Sequence, residues 1–419
     1  MKTWKQNLKH LSSKQYEFLR TLCKLSKSVY NSSIYNIRQN YFEHETYLKY
    51  EANWQLLKSS DAYLKLGGGI AQQSIRAADQ SFKSFFSLLK KMKQGEYENW
   101  KVSLPRYLDK DSFYPVVFTD VNRVIRDGVF TIPVSRILKQ EIDFKTTIRV
   151  PPYLEGKNIH QIRIIPRCKG KFFEVRYIFD DVDVEQLELD ASKFLVIDFG
   201  VNNLATCVDT EGKSFIIDGR KLKSINQQYN RRLARLSSIK DKQKIEYYTK
   251  NQYLITRKRN NRVSNYIYNS AKYIIDYCLG NKIKNIVIGY NDGFQQNTNL
   301  GKRNNQNFVM VPFGRFRARI EYLASLHGIR TYIQEESYTS QASFFDGDEI
   351  PTWNPRKTKE YIFSGKRVKR GLYRTKDGIL INADVNGALN ILRKSKLTDL
   401  TILQSRGIVV MPTRIRIHD

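Results

Sequence analysis

The sequence predicts an α+β multidomain chain, and three observations carry that expectation. Residues 11–98 place apolar side chains at helical spacing, and residues 100–180 switch to short runs with strand alternation and a hairpin turn. From residue 193 onward, buried-type strands alternate with helical stretches, the pattern of an α/β sheet. A length of 419 residues suits two or three domains.

In the first segment, "SIRAADQSFKSFFSLLKKMK" sets Ile75, Ala78, Phe82, Phe85, Phe86 and Leu89 on one helical stripe, read as core, with basic residues between them. "KLGGGIAQ" interrupts the helices near Gly67–Gly69. In the second segment, "GVFTIPV" and "TTIRVPP" read as strands. "IHQIRIIPRCKGKFFEVRYIF" reads as a hairpin turning at Lys169-Gly170-Lys171, which brings Arg163, Arg167 and Arg176 together on a small sheet or barrel. In the third, "KFLVIDFGVNNLATCVD" is a strand, a glycine turn and a second strand, and "SFIIDG" is a third. A long basic helical stretch, Leu222 to Leu279, follows. "KNIVIGY", the helix "VPFGRFRARIEYLASLHG" and the strand "IRTYIQEE" complete the pattern.

Composition narrows the function. Hydrophobic residues at 41% exclude a disordered chain. The 71 Lys and Arg against 41 Asp and Glu give a formal charge of +30, spread along the chain among 26 Tyr and 22 Phe. That pattern points to nucleic acid. An anionic membrane would call for one concentrated basic amphipathic helix, and the sequence has none. No run approaches the length of a membrane span, so a soluble, intracellular protein is expected. Cys23, Cys168, Cys207 and Cys278 are scattered without a CxxC, which argues against a disulfide framework or a zinc ribbon.

Two stretches carry chemistry. Asp198 closes the apolar run "FLVID", where a carboxylate is costly to desolvate unless paired or metal-bound. Turn capping is the plainer explanation. In "LINADVNGALNILRK", Asp384 heads a helix, where it could serve as an N-cap. Asn386, Gly387, Ala388 and Asn390 give that helix a small face, able to lie tightly on a sheet and bring Asp384 towards the strand ends.

Together, "VIDFGVNNLATC" and "NADVNGALNIL" resemble the RuvC-like, RNase H-type nuclease core of the TnpB family. These are transposon-encoded RNA-guided DNA endonucleases related to type V CRISPR effectors and to Fanzor. "AQQSIRAADQSFKSFF", "PRYLDKDSF" and "SYTSQAS" extend the likeness over most of the chain. The resemblance implies a layout. Residues 1–10 and 100–185 would form a small WED-like β-barrel, and 11–99 a helical REC-like domain. Residues 190–340 and 379–396 would form the RuvC-like domain, with 341–378 an inserted target-nucleic-acid-binding lobe and 397–419 a C-terminal tail. It also implies a structured guide RNA of the omega (right-end) type and a double-stranded DNA target beside a short adjacent motif. Cutting would use two Mg²⁺ ions, held by three acids, that activate a water and stabilise the leaving oxygen. Asp198 matches the first acid and Asp384 the third.

Two departures follow. The family's second acid is a Glu at the end of the strand that here reads "NIVIGYND", and Gly289 stands in its place. Asp292 is nearby, but Asn-Asp-Gly is ordinary turn chemistry. The neighbouring strand ends in Glu335-Glu336, and strands are only ~5 Å apart. Some family members carry the Glu three residues before a Thr-Ser pair, which here is Glu336. The expected metal ligands are therefore Asp198, Glu336 and Asp384, with Glu335 in reserve. Second, the family's zinc ribbon has no counterpart, since residues 339–378 hold neither Cys nor His. A lobe without zinc is expected, held by Phe344, Phe345, Trp353, Tyr361, Phe363 and Tyr373. Its Lys366, Arg367, Lys369 and Arg370 would face nucleic acid. Arg231, Arg232, Arg257, Lys258, Arg259 and Arg262 would line the guide–target duplex through backbone contacts. Two alternatives stay open: a catalytically inactive RNA-guided repressor, which Gly289 favours, and a compact type V CRISPR effector.

Overall fold

A computed structural model describes residues 1–95, 102–142, 144–181, 187–291, 301–353, 360–406 and 411–417. The chain divides into two compact units, Met1–Asp183 and Val184–Asp419.

The first unit packs helices Ser13–His44 and Gly68–Lys93 with two sheets around a shared apolar core that includes Phe18, Leu22, Ile75, Phe118, Phe130 and Tyr177. Ile75, Ala78, Phe82 and Phe85 of the expected stripe are buried; Phe86 and Leu89 pack beside them. The expected barrel is not closed among the described residues. Among the described residues there is a four-stranded sheet, in which Phe172–Phe179 lies between Lys2–Asn7 and Ile159–Arg167, and Val116–Phe118 pairs with the latter. A separate three-stranded sheet joins Ile125–Arg126, Val129–Thr131 and Thr147–Arg149. Strands of two and three residues are too short for the tilt and stagger that closure demands.

The hairpin turns at Cys168–Gly170, all three at positive φ, and Arg163 sits directly opposite Arg176. Glu174, 3% exposed, accepts hydrogen bonds from Arg167 and Arg176, and Lys5 lies 3.5 Å away. Burial would raise this carboxyl, but the bonds from Arg167 and Arg176 outweigh it and bring it down to about 2 from 4.5. A depressed native pKa stabilises the fold above the ordinary value and loses that contribution as pH falls through the native one. Glu174→Gln is therefore expected to cost roughly 1.5–3 kcal/mol at neutral pH. The gap in melting temperature from wild type should close as pH falls from about 4.5 towards 2. A gap that stayed constant over that range would contradict the assignment.

The second unit is a six-stranded sheet. Its strands are β1 (Asp190–Phe199), β2 (Asn203–Asp209), β3 (Ser214–Asp218), β4 (Ile283–Gly289), β5 (Arg330–Gln334) and β6 (Thr413–Ile415), in the order β5-β4-β1-β2-β3-β6. β4 runs parallel to both β1 and β5, and β2 is antiparallel to its neighbours. Helices α1 (Arg220–Lys242), α2 (Lys250–Gly280) and α3 (Phe313–Leu326) contribute to the core on one face of the sheet, and α4 (Ala383–Ser395) covers the other. Two covered faces explain the unbroken apolar runs of β1 and β4. The basic stretch expected as one helical segment is two helices. Lys244 adopts positive φ after α1, and Thr249 with Gln252 forms a capping box that restarts the chain as α2.

Candidate active site

Strand alternation assigns the site residues to one face. Phe194 and Val196 of β1 pack in the core beneath α4, whereas Leu195 and Ile197 face the opposite core. Asp198 continues the first set and emerges on the α4 side. Val287 lies on that side of β4, and Gly289 follows it two residues on.

The small face of α4 has a specific use. Asn386 donates to the Ala342 carbonyl and accepts from the Phe344 amide; Asn390 donates to the carbonyls of Thr339 and Ala342. These buried amides clamp the 339–344 turn to the helix. A side chain at Gly387 would begin 3.2 Å from Asp198 Oδ2, so the glycine leaves room for that carboxylate. The N-cap is Asn382, whose side chain accepts from the amides of Asp384 and Val385, so Asp384 does not serve as the cap.

Glu335 and Glu336 lie just past β5, beyond the strict alternation of the pleat. They diverge nonetheless. Glu335 is bonded to Lys394, which also donates to the carbonyls of Ser337 and Pro351. Burial would raise the Glu335 carboxyl, but the bonds from Lys394 and Ser337 hold it below its ordinary value. Glu336 turns the other way. Its Oε2 lies 3.0 Å from where a Cβ on Gly289 would stand, so it fills the space that Gly289 leaves. Burial, and behind it the charge of Glu335, pushes the Glu336 carboxyl up to about 7. Burial first, then the charges of Glu336 and Asp384, push the half-buried Asp198 well above the ordinary range, against the pull of Arg367. Asp384 accepts from the Asn203 amide, and its Oδ1 is 3.5 Å from Arg367. Asp292 lies outside the described residues.

Asp198, Glu336 and Asp384 offer only carboxylate oxygens, the donor type of Mg²⁺. Among the described residues no hydrogen bond reaches the Asp198 carboxylate, and the mutual repulsion that raises it is what a cation relieves. In that sense the residues fit a divalent ion. They do not yet close on one point: among the described residues no three Asp, Glu, His or Cys are grouped tightly enough to hold an ion, with Asp384 drawn to Asn203 and Arg367.

Asp198 and Asp384 line a cleft of about 740 Å³ whose walls include Arg220, Lys223, Arg367, Arg370 and Arg414. Of the residues expected to meet nucleic acid, Arg367 and Arg370 are at the cleft, and Lys366 and Lys369 are exposed on the same hairpin. Arg231, Arg232 and Lys258 are exposed on α1 and α2, and Arg257 and Arg262 are half-buried. Arg232, Lys258, Arg259 and Arg262 line a small basic pocket between these helices. Arg259 is itself tied to Asn226 and the Met310 carbonyl. Arg220, Lys223, Asn203, Lys394 and Arg414 were not singled out by sequence. Lys223, Asn203, Lys394 and Arg414 are placed by partners 21 or more residues away, and Arg220 by Asp218 beside it.

In the lobe, Phe344 and Tyr373 are buried, whereas Trp353 is 61% exposed and is not part of its core as expected. Asp348 ties its segments, accepting from the amides of Ser343 and Ser364 and from the Ser364 hydroxyl. Among the described residues, no helix is long and apolar enough to cross a membrane.

Known proteins share parts of this sequence and this fold. The family described as a probable transposase, OrfB_IS605, matches residues 179–295, and a Cas12f1-like TNB domain matches 313–391. A TnpB-like protein, ORF457 of Acidianus two-tailed virus, is 22% identical over 411 residues, covering 90% of this chain and 83% of that protein. The fold is similar to a Cas12f1–sgRNA–target DNA complex at a TM-score of 0.58 and 14% identity, covering 91% of this chain and 83% of that one. A CRISPR–Cas12f ternary complex aligns at 0.37 and 17% identity, covering 90% and 80%. In sequence the chain is thus similar to a TnpB-like protein and to the OrfB_IS605 and Cas12f1-like TNB families, and in fold to the type V effector Cas12f1.

Proposed function

We propose that the chain is an RNA-guided DNA endonuclease: it carries a structured guide RNA and cuts double-stranded DNA beside a short adjacent motif. Asp198, Glu336 and Asp384 would hold two Mg²⁺ ions. The observation that carries this reading is the Glu336 carboxylate in the space vacated at Gly289, beside Asp198. The family's missing acid is thereby replaced from the adjacent strand. The similar Cas12f1 structure is a complex with an sgRNA and target DNA, and the +30 charge of this chain suits such partners.

The residues divide the work. Arg220, Lys223, Arg370 and Arg414 on the cleft walls receive the phosphates of a strand laid over the acids. Arg367 offsets part of the charge on Asp198 and Asp384. Lys394 holds Glu335 away, leaving Glu336 to the site. Bound divalent ions would supply the Lewis acidity that activates water and stabilises the leaving oxygen.

The test is purification with its copurifying RNA, followed by incubation with Mg²⁺ and target DNA carrying a randomised flank. Cutting of guide-matched targets next to one flanking motif is expected. Guide-dependent binding without any cutting would instead make the protein a repressor, and cutting that ignores the RNA would overturn the guided reading.

A further inference from the structure

The last described residues are part of the site. β6 pairs in parallel with β3, with Thr413, Arg414 and Ile415 opposite Phe215, Ile216 and Ile217. Ile415 and Ile417 pack against the core beneath the sheet, and Lys221 donates to the Ile417 carbonyl at 3.2 Å. The docked strand delivers Arg414 to the cleft. There its Nη1 donates to Asn203 Oδ1 at 2.9 Å and lies 3.7 Å from Asp218 Oδ1. Asn203 in turn donates its amide to Asp384 Oδ2.

We propose that Arg414 is a positioning residue for Asp384, acting through Asn203, so that the C-terminal strand completes the active site. The inference rests on reading Asp384 as a metal ligand. A side-chain amide has one donor end and one acceptor end, and a guanidinium only donates. With Arg414 present, Asn203 settles with its carbonyl towards the guanidinium and its NH₂ towards Asp384. Without it, the carbonyl end of the amide loses its donor, and the side chain is free to swing its NH₂ away from the Asp384 carboxylate. Asn203 therefore sets which lone pairs of Asp384 remain for an ion, and Arg414 sets Asn203. Partners of this kind, one step removed from the ion, commonly change metal affinity by about 10–100-fold.

The sign of the effect separates positioning from plain charge. Removing a nearby cation should by itself strengthen binding of a divalent ion; removing a positioning group should weaken it. The experiment is a Mn²⁺ titration of the purified full chain, read by electron paramagnetic resonance, with a melting curve for each variant. Arg414→Ala and Asn203→Ala are each expected to weaken Mn²⁺ binding by about tenfold. Their combination should be no weaker than the weaker single, and Arg414→Lys, which keeps a donor without an acceptor, should recover most of the loss. Binding that is unchanged or tightened in Arg414→Ala, or a double variant equal to the product of the singles, overturns the proposal. Failure of the wild-type protein to bind Mn²⁺ removes the metal site itself and the proposal with it, and shows before any variant is compared.

Discussion

Glu336→Gln is expected to slow target cutting by roughly 10²–10⁴-fold, the several kcal/mol that a lost metal contact is worth. Guide-dependent DNA binding should be unchanged. The substitution keeps the size of a side chain that fills the space over Gly289 and removes the charge and one anionic oxygen. Glu335→Gln is expected to act differently. It loosens the bond to Lys394, which also holds the Ser337 and Pro351 carbonyls, so stability falls while cutting falls little. Cleavage rates and binding affinities for both variants, measured on one guide–target pair, separate the two carboxylates. Normal cutting by Glu336→Gln together with its loss in Glu335→Gln would reverse their assignment.

Gly289→Ala should have the second large effect. Its methyl would stand 2.4 Å from Ile391 Cδ1 and 3.0 Å from Glu336 Oε2. Ile391 is fully buried, so the crowding is expected to cost roughly 1–3 kcal/mol. Pressure on Glu336 should lower cutting as well. Adding Ile391→Val deletes the nearer clashing atom. The double variant should regain much of the melting temperature and little of the cutting, because the contact with Glu336 remains. A Gly289→Ala variant that is as stable and active as wild type would mean that the glycine is not needed to seat the glutamate.

Much of this was legible in the residues. The apolar runs ending at Asp198 and Gly289, and the small face of Asn386, Gly387, Ala388 and Asn390, are local patterns that periodicity exposes. They suffice to foresee a sheet with a helix pressed on it. The doublet could be placed because β5 neighbours β4 in this topology, although the two glutamates lie past the pleat, and Lys394 is what separates their directions. The barrel was misjudged because short alternating runs show that strands exist but not whether their edges meet. Trp353 was misjudged because an aromatic side chain without periodicity carries no burial signal. The Arg414–Asn203–Asp384 chain was illegible for a plainer reason: Asn203 lies more than 150 residues from both of its partners, and Arg414 reaches it because β6 docks beside β3.

The most direct measurement is an anomalous diffraction map of the guide-bound protein soaked in Mn²⁺. The account predicts peaks against the carboxylates of Asp198, Glu336 and Asp384, with Glu335 still on Lys394. A peak held by Glu335 instead, or no peak beside Asp198, would contradict it.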